Sequence, residues 1–131
     1  MEKIGKYQVV RKLGEGATSE VYLCHDPFAS REVAIKVVFP DSLGDDENRN
    51  LFRKLFITEA SLAGKLTHPH IVQIYDAVVD EGISYVVMEY VDGGTLEPHC
   101  NAKALLPVEK IVEIVFKCTR ALDFANRAAI R

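Results

Sequence analysis

Two glycines, Gly14 and Gly16, interrupt an alternation of apolar and polar residues that runs from Tyr7 to Val38. A period of two over such a length commits the segment to extended strands with one buried face, and glycine at the interruption commits it to a turn. A second break, Asp26-Pro27-Phe28-Ala29-Ser30, is turn chemistry again. The segment therefore predicts three successive antiparallel strands, a β-meander. Its first turn, Leu13-Gly14-Glu15-Gly16-Ala17-Thr18-Ser19-Glu20-Val21, comes one strand before Val33-Ala34-Ile35-Lys36. A flexible glycine turn lets backbone N–H groups close over phosphate oxygens, and a lysine one strand later supplies a point charge for them. The pair reads as a nucleotide-phosphate site.

The remainder of the chain is helical at two places. From about Arg49 to Leu66, Leu51, Leu55, Ala60 or Leu62, and Leu66 recur at helical spacing, and Phe52 and Phe56 form an i, i+4 pair. The acidic, turn-rich segment from Pro40 to Asn50 precedes this helix, and His68-Pro69-His70 ends it. Two more strands follow, Ile71 to Val79 and Ile83 to Val91, joined by Asp80-Glu81-Gly82. Beyond Asp92-Gly93-Gly94 the pattern predicts a short helix over Thr95 to Lys103 and a long one from Pro107 to about Ala128. The apolar positions of the long helix cover more than one face, the pattern of a helix buried on several sides.

Composition narrows the function. With 131 residues the chain holds one domain with one core, or two lobes of which one is incomplete. A net charge of −3 with scattered Lys and Arg argues against nucleic-acid binding. No apolar run approaches the ~20 residues of a membrane-spanning helix, and Met1-Glu2-Lys3-Ile4-Gly5-Lys6 has no apolar core of a signal peptide. Cys24, Cys100 and Cys118 are far apart, odd in number and free of C-x-x-C spacing, so they are expected to be reduced, semi-buried thiols of a cytoplasmic protein.

The element order β-β-β-α-β-β, a glycine hinge and two helices, with these motifs, resembles the N-terminal lobe of a eukaryotic-type Ser/Thr protein kinase continued into the first helices of the C-terminal lobe. The likeness runs from Tyr7 to Arg131. The family's G-x-G-x-x-G-x-V is met by Gly14, Gly16 and Val21, with Ser19 in place of the third glycine. Its V-A-I-K is met by Val33-Ala34-Ile35-Lys36. The hinge is matched by Val86 through Leu96, and H-P-x-I-V by His68 to Val72. The resemblance implies an α+β fold: a five-stranded antiparallel sheet with one long helix, followed by two C-terminal helices. It also implies a first lobe over 1–91 and the beginning of a second over 92–131.

The family's site residues carry over position by position. Lys36 would contact the α- and β-phosphates of ATP, and Glu59 would pair with Lys36 from the helix, with Glu47 and Glu32 as lesser substitutes. Leu13, Gly14, Glu15, Gly16, Ala17, Thr18, Ser19 and Val21 would cover the nucleotide. Ala34 and Met88 would add apolar walls, Glu89 and Val91 would offer backbone groups to the adenine edge, and Thr95 would lie near the ribose. Ala63 and Ile74 occupy positions of the apolar spine that links helix to sheet.

Glu59 sits mid-helix on the apolar side of its own helix, where it is expected to be buried or half-buried and so to need a cation partner to avoid a desolvation cost of several kcal/mol. Metal readings fail: His68 and His70 lack a carboxylate or thiolate at ligand spacing, and Asp45-Asp46-Glu47 lacks a glycine-spaced loop. A dinucleotide-binding oxidoreductase fails on order, since its glycine loop should open a helix. Here a strand follows.

A protein kinase also needs a catalytic-loop Asp, an Asn and the Asp of D-F-G, the last two for Mg²⁺. None is found in these 131 residues, which end in a stretch resembling the family's long C-lobe helix. As the ATP-binding portion of such a kinase, this chain alone is therefore expected not to transfer the ATP γ-phosphate to a protein hydroxyl, and a non-catalytic nucleotide-binding or dimerising fragment is the alternative. The 107–128 helix, if uncovered, would expose side chains worth about 1.5–3 kcal/mol each when buried. It is expected to pack against a second copy in a homo-oligomer; folding back on the sheet or partial disorder are the other outcomes.

Overall fold

The computed structural model describes residues 2–39, 46–80 and 82–130. The turn-rich stretch 40–45, with Asp45 of the acidic run, and the centre of the Asp80-Glu81-Gly82 turn lie outside the described residues. Contacts divide the chain into two units. The first comprises residues up to Lys65 together with Gln73–Tyr90; the second comprises Leu66–Val72 and the residues from Val91 onward.

The first unit is a six-stranded antiparallel sheet with one helix. The strands are β1 (Lys3–Ile4), β2 (Tyr7–Glu15), β3 (Ser19–Asp26), β4 (Arg31–Val38), β5 (Ile74–Val79) and β6 (Ser84–Glu89), in the order β1-β2-β3-β4-β6-β5. The helix α1 spans Asp46–Gly64 between β4 and β5. Five strands were expected, and the sixth is β1. A lone Ile4 between Lys3 and Gly5 carries no readable alternation, yet Ile4 pairs with Tyr7 and is only 1% exposed. Gly5 makes the turn between them at φ +56, where an added Cβ would collide with the Tyr85 hydroxyl.

Register gives the sheet two distinct faces. Val33, Ile35 and Val37 of β4 lie opposite Cys24, Tyr22 and Glu20 on one side and opposite Glu89, Val87 and Tyr85 on the other. Their side chains share one face, where Val33, Ile35, Val37, Cys24, Tyr85 and Val87 pack with Ile4 and Tyr7 into the core. Ala34, Lys36 and Val38 lie opposite Leu23, Val21 and Ser19, and opposite Met88, Val86 and Ser84, on the other face. The β3–β4 turn forms as expected. Asp26, buried, accepts hydrogen bonds from the amides of Phe28 at 2.9 Å and Ala29 at 3.2 Å. These bonds, that from Ala29 foremost, hold its carboxyl below the usual range.

α1 turns Phe52 and Phe56 inward, their ring centroids 5.8 Å apart, along with Ala60. Leu51, Leu55 and Leu62, one residue earlier or two later on the same helix, are exposed. A shift of one residue is a rotation of about 100°.

The second unit departs from expectation at its first helix. Thr95 to Lys103 contains only one 3₁₀ turn, Glu97–His99. Local side chains satisfy the backbone there instead: Thr95 Oγ1 accepts from the Glu97 amide, Cys100 Sγ donates to the Leu96 carbonyl, and Asn101 Oδ1 accepts from the Lys103 amide. Such bonds compete with helix propagation, and Pro98 has no N–H to contribute. The long helix α2 spans Val108–Ile130, with the Pro107 carbonyl accepting from Lys110 and Ile111. Glu113 bridges Lys110 and Lys117, and Asp123 pairs with Arg127. Ala121 is buried, but Val108, Val112, Val115, Phe116 and Leu122 are exposed, Val108 and Leu122 each by 71%. This helix does not have the all-round burial that its apolar pattern predicts.

The cysteines also differ from one another. Cys24 is buried in the core, and burial pushes its thiol up to about 11; Cys100 and Cys118 are exposed rather than semi-buried. The thiolate is the reactive form, so a thiol reagent at pH 8 should modify Cys100 and Cys118 in the folded chain and Cys24 only after unfolding. Rapid modification of all three without denaturant would show that Cys24 is not enclosed as described.

Candidate functional site

The first unit contains a cavity of about 370 Å³ between α1 and the second face of the sheet. That volume lies within the ~300–1,000 Å³ typical of small-molecule sites. Its walls come from five places in the sequence. The β2–β3 turn, with the first residue of β3, contributes Thr18 and Ser19; β4 contributes Lys36 and Val38; α1 contributes Phe52, Phe56, Glu59, Ala60 and Ala63; and Ile74 comes from β5 and Val86 and Met88 from β6. The cavity thus unites a glycine turn, a cation, a carboxylate and an apolar wall.

Strand periodicity explains how Lys36 reaches it. Ile35 and Val37 anchor β4 in the core, so the residue between them faces the opposite side. Lys36 is exposed there, opposite Val21 and Val86. Helical spacing does the same for Glu59, which follows Phe56 by three residues and precedes Ala63 by four on the stripe facing the cavity. Glu59 is exposed, not half-buried as expected, and no ion pair joins it to Lys36 among the described residues. A carboxylate that keeps its water carries little desolvation cost and does not require the lysine.

The glycine turn is tight. β2 and β3 pair as far as Glu15 and Glu20, and the Gly16 amide donates to the Ser19 carbonyl at 2.7 Å. Thr18 accepts at its carbonyl from the Phe39 amide. Neither Gly14 nor Gly16 has a positive φ, and a Cβ built on Gly14 meets nothing within 4 Å. The fold itself does not require glycine at position 14; open space on the backbone is what a closely approaching ligand needs.

Of the other residues read from the sequence, Val21 and Ala34 lie on the cavity's face of the sheet by register, and Ala34 sits directly between Leu23 and Met88. Leu13 falls at a register shift of β2 between Lys12 and Gly14, where a bulge sharpens the twist into the turn. Glu15 and Ala17 are exposed. Glu89 ends β6, its amide donating to the Gln73 carbonyl at 2.8 Å while its carboxylate accepts from the Gln73 amide at 3.1 Å. Val91 and Thr95 belong to the second unit, where both are exposed.

Phe52, Phe56, Ala60, Val38 and Val86 also line the cavity, and no motif in the sequence marks them as site residues. The spacing of Phe52, Phe56, Glu59, Ala60 and Ala63 was the signal that could have found the helical wall, because these positions share one helical stripe.

The chain is similar to known proteins over nearly its whole length. The model of the protein kinase domain family matches residues 7–130. Serine/threonine-protein kinase PrkC of Bacillus subtilis is 38% identical over 126 residues, which is 96% of this chain and 19% of that protein. Serine/threonine-protein kinase PknI of Mycobacterium tuberculosis is 37% identical over 126 residues, 95% of this chain and 21% of that protein. The crystal structure of the PknI kinase domain superimposes with a TM-score of 0.75 at 37% identity, covering 95% of this chain and 50% of that one. The chain thus spans about a fifth of the length of these curated relatives and half of the solved kinase domain. With the domain match running through nearly every described residue, the chain belongs to the protein kinase domain family, as part of a serine/threonine kinase domain.

Proposed function

We propose that the 370 Å³ cavity and the adjoining glycine turn form the ATP-binding part of a serine/threonine protein kinase. The observation that carries this reading is the convergence of Lys36, Glu59, Thr18, Ser19 and Met88 on one cavity, beside a Gly14 that the fold does not itself require. Backbone amides of Gly14 to Ser19 hold the phosphates, and Lys36 neutralises them as a point charge. Glu59 closes on Lys36 when nucleotide orders the site and fixes the ammonium. Leu13, Val21, Ala34 and Met88 enclose the purine, and Glu89 offers a backbone group to its edge.

ATP brings Mg²⁺ in this family, and the acids that hold the metal in a complete kinase are not among the motifs found here. Lacking these acids and the catalytic-loop Asp, the 131 residues alone bind ATP but transfer no phosphoryl group; the complete kinase acts on a protein hydroxyl. A site fed by cellular ATP works on the cytoplasmic side, and among the described residues no helix is long and apolar enough to cross a membrane. Calorimetric titration of the chain with a non-hydrolysable ATP analogue and with adenosine tests the reading. Saturable binding of the analogue, tighter than that of adenosine, is expected; heat from neither would sink it.

A second role is favoured by α2. Val108, Val112, Val115 and Leu122 repeat at spacings of three, four and seven and are all exposed, the stripe by which helices pair. Through this stripe the isolated chain forms a homo-oligomer. Light scattering at tens of micromolar should give more than the monomer mass, and Val112→Glu should restore the monomer. A monodisperse wild-type monomer under those conditions rules the role out.

A further inference from the structure

The strands on either side of the glycine turn are clipped together on the face turned away from the cavity. Lys12 lies opposite Tyr22, and Glu15 lies opposite Glu20. Ser19 lines the cavity, so Glu20, its neighbour along β3, points to the other face, as does Tyr22, which packs against the core. Two carboxylates directly opposite one another repel. Here the Lys12 ammonium stands between them, bonded to Glu15 and 3.5 Å from Oε1 of Glu20. The Tyr22 hydroxyl donates to Oε2, the second oxygen of Glu20.

The cluster is joined from both strands and lies within three residues of the turn. Glu20 is its centre, held by a cation from β2 and a hydroxyl from β3. The same contacts, Tyr22 foremost, hold the Glu20 carboxyl below its ordinary range and so keep it charged and accepting.

We infer that Lys12, Glu20 and Tyr22 are positioning residues that brace the glycine turn from behind, keeping the amides of Gly14 to Ser19 arrayed for the phosphates of ATP. This rests on the reading of the cavity as an ATP site. A different account makes Glu20 only a charge near a polyanion. The two accounts predict opposite signs when that charge is removed: loss of an anion alone tightens ATP binding, whereas loss of the brace weakens it.

The test uses the 131-residue chain carrying Glu20→Gln, Tyr22→Phe, Lys12→Met or Lys12→Arg, titrated with ATP and with adenosine. Amide hydrogen exchange at Gly16 is followed in parallel without nucleotide. Glu20→Gln and Tyr22→Phe should each weaken ATP about threefold to tenfold, the range for losing one charge-assisted hydrogen bond at a partly exposed site, with adenosine affinity unchanged. Lys12→Met should do the same and Lys12→Arg should retain most of the affinity. Exchange at Gly16 should be faster in the three weakened variants, because the amide is held by Ser19 across the turn.

Equal or tighter ATP binding by Glu20→Gln overturns the brace, as does unchanged Gly16 exchange or an equal loss of adenosine affinity. Failure of the wild type to bind ATP, with exchange still raised in the variants, would instead overturn the ATP reading and with it the positioning role.

Discussion

Lys36→Ala should lower the affinity of the chain for ATP by about tenfold to a hundredfold while leaving adenosine binding and thermal stability nearly unchanged. The size follows from the loss of a charge-assisted contact to phosphate, worth about 1.5–3 kcal/mol. Its selectivity follows from the strand. Ile35 and Val37 hold β4 in the core from the opposite face, and backbone pairing to β3 and β6 does not depend on the Lys36 side chain. Truncation therefore removes a charge without opening a cavity. Titration calorimetry with both ligands on both proteins is the check, and equal ATP affinities would remove Lys36 from its proposed role. Glu59→Gln should give a smaller loss of the same kind, because the carboxylate acts through the lysine and is free of it in this structure.

The largest effect on stability is expected one residue earlier. Ile35→Ala should destabilise the first unit by about 2–5 kcal/mol, the range for large-to-small changes at sites that cannot collapse. Ile35 is 0% exposed and is ringed by Val33, Val37, Val87 and Cys24, themselves essentially fully buried, so neighbouring backbone has little freedom to fill the space. Against a total of about 5–15 kcal/mol for a domain, such a loss is a large fraction. Urea denaturation should show a lower midpoint with an unchanged slope. Leu55→Ala on the outer face of α1 is the control, expected within about 0.5 kcal/mol of wild type because Leu55 is 59% exposed. Equal effects of the two substitutions would contradict the register of β4.

These two expectations also mark how far the residues could be read in advance. The β-meander was legible because a strand's period of two and a turn's chemistry are properties of near neighbours: Asp26 caps its own turn, and Ile35 and Lys36 must face opposite ways wherever β4 lies. The family likeness was legible for the same reason, since its motifs are short and local.

β1 was not, because Ile4 is buried in a core it shares with Tyr7, Tyr85 and Val87, of which two lie some eighty residues away. Nor was the inward face of α1. Its phenylalanine stripe and its leucine stripe are both apolar and lie side by side on the helix, so only the sheet decides which is covered. The brace at Lys12, Glu20 and Tyr22 was equally silent, because it depends on register shifts in β2 that bring these residues opposite one another.

By itself, the order of residues determined the strands of the meander, the glycine turn, the orientation of Lys36 on its strand and membership in the kinase family; each is set by interactions within a few positions along the chain. Tertiary structure alone decided which face of α1 meets the sheet, that Lys36 and Glu59 share a cavity yet remain unpaired, and that α2 leaves an apolar stripe uncovered. Those outcomes depend on burial and solvation among segments far apart in sequence, where a carboxylate left in water has no need of its cation and an apolar side chain is buried only if another element arrives to cover it.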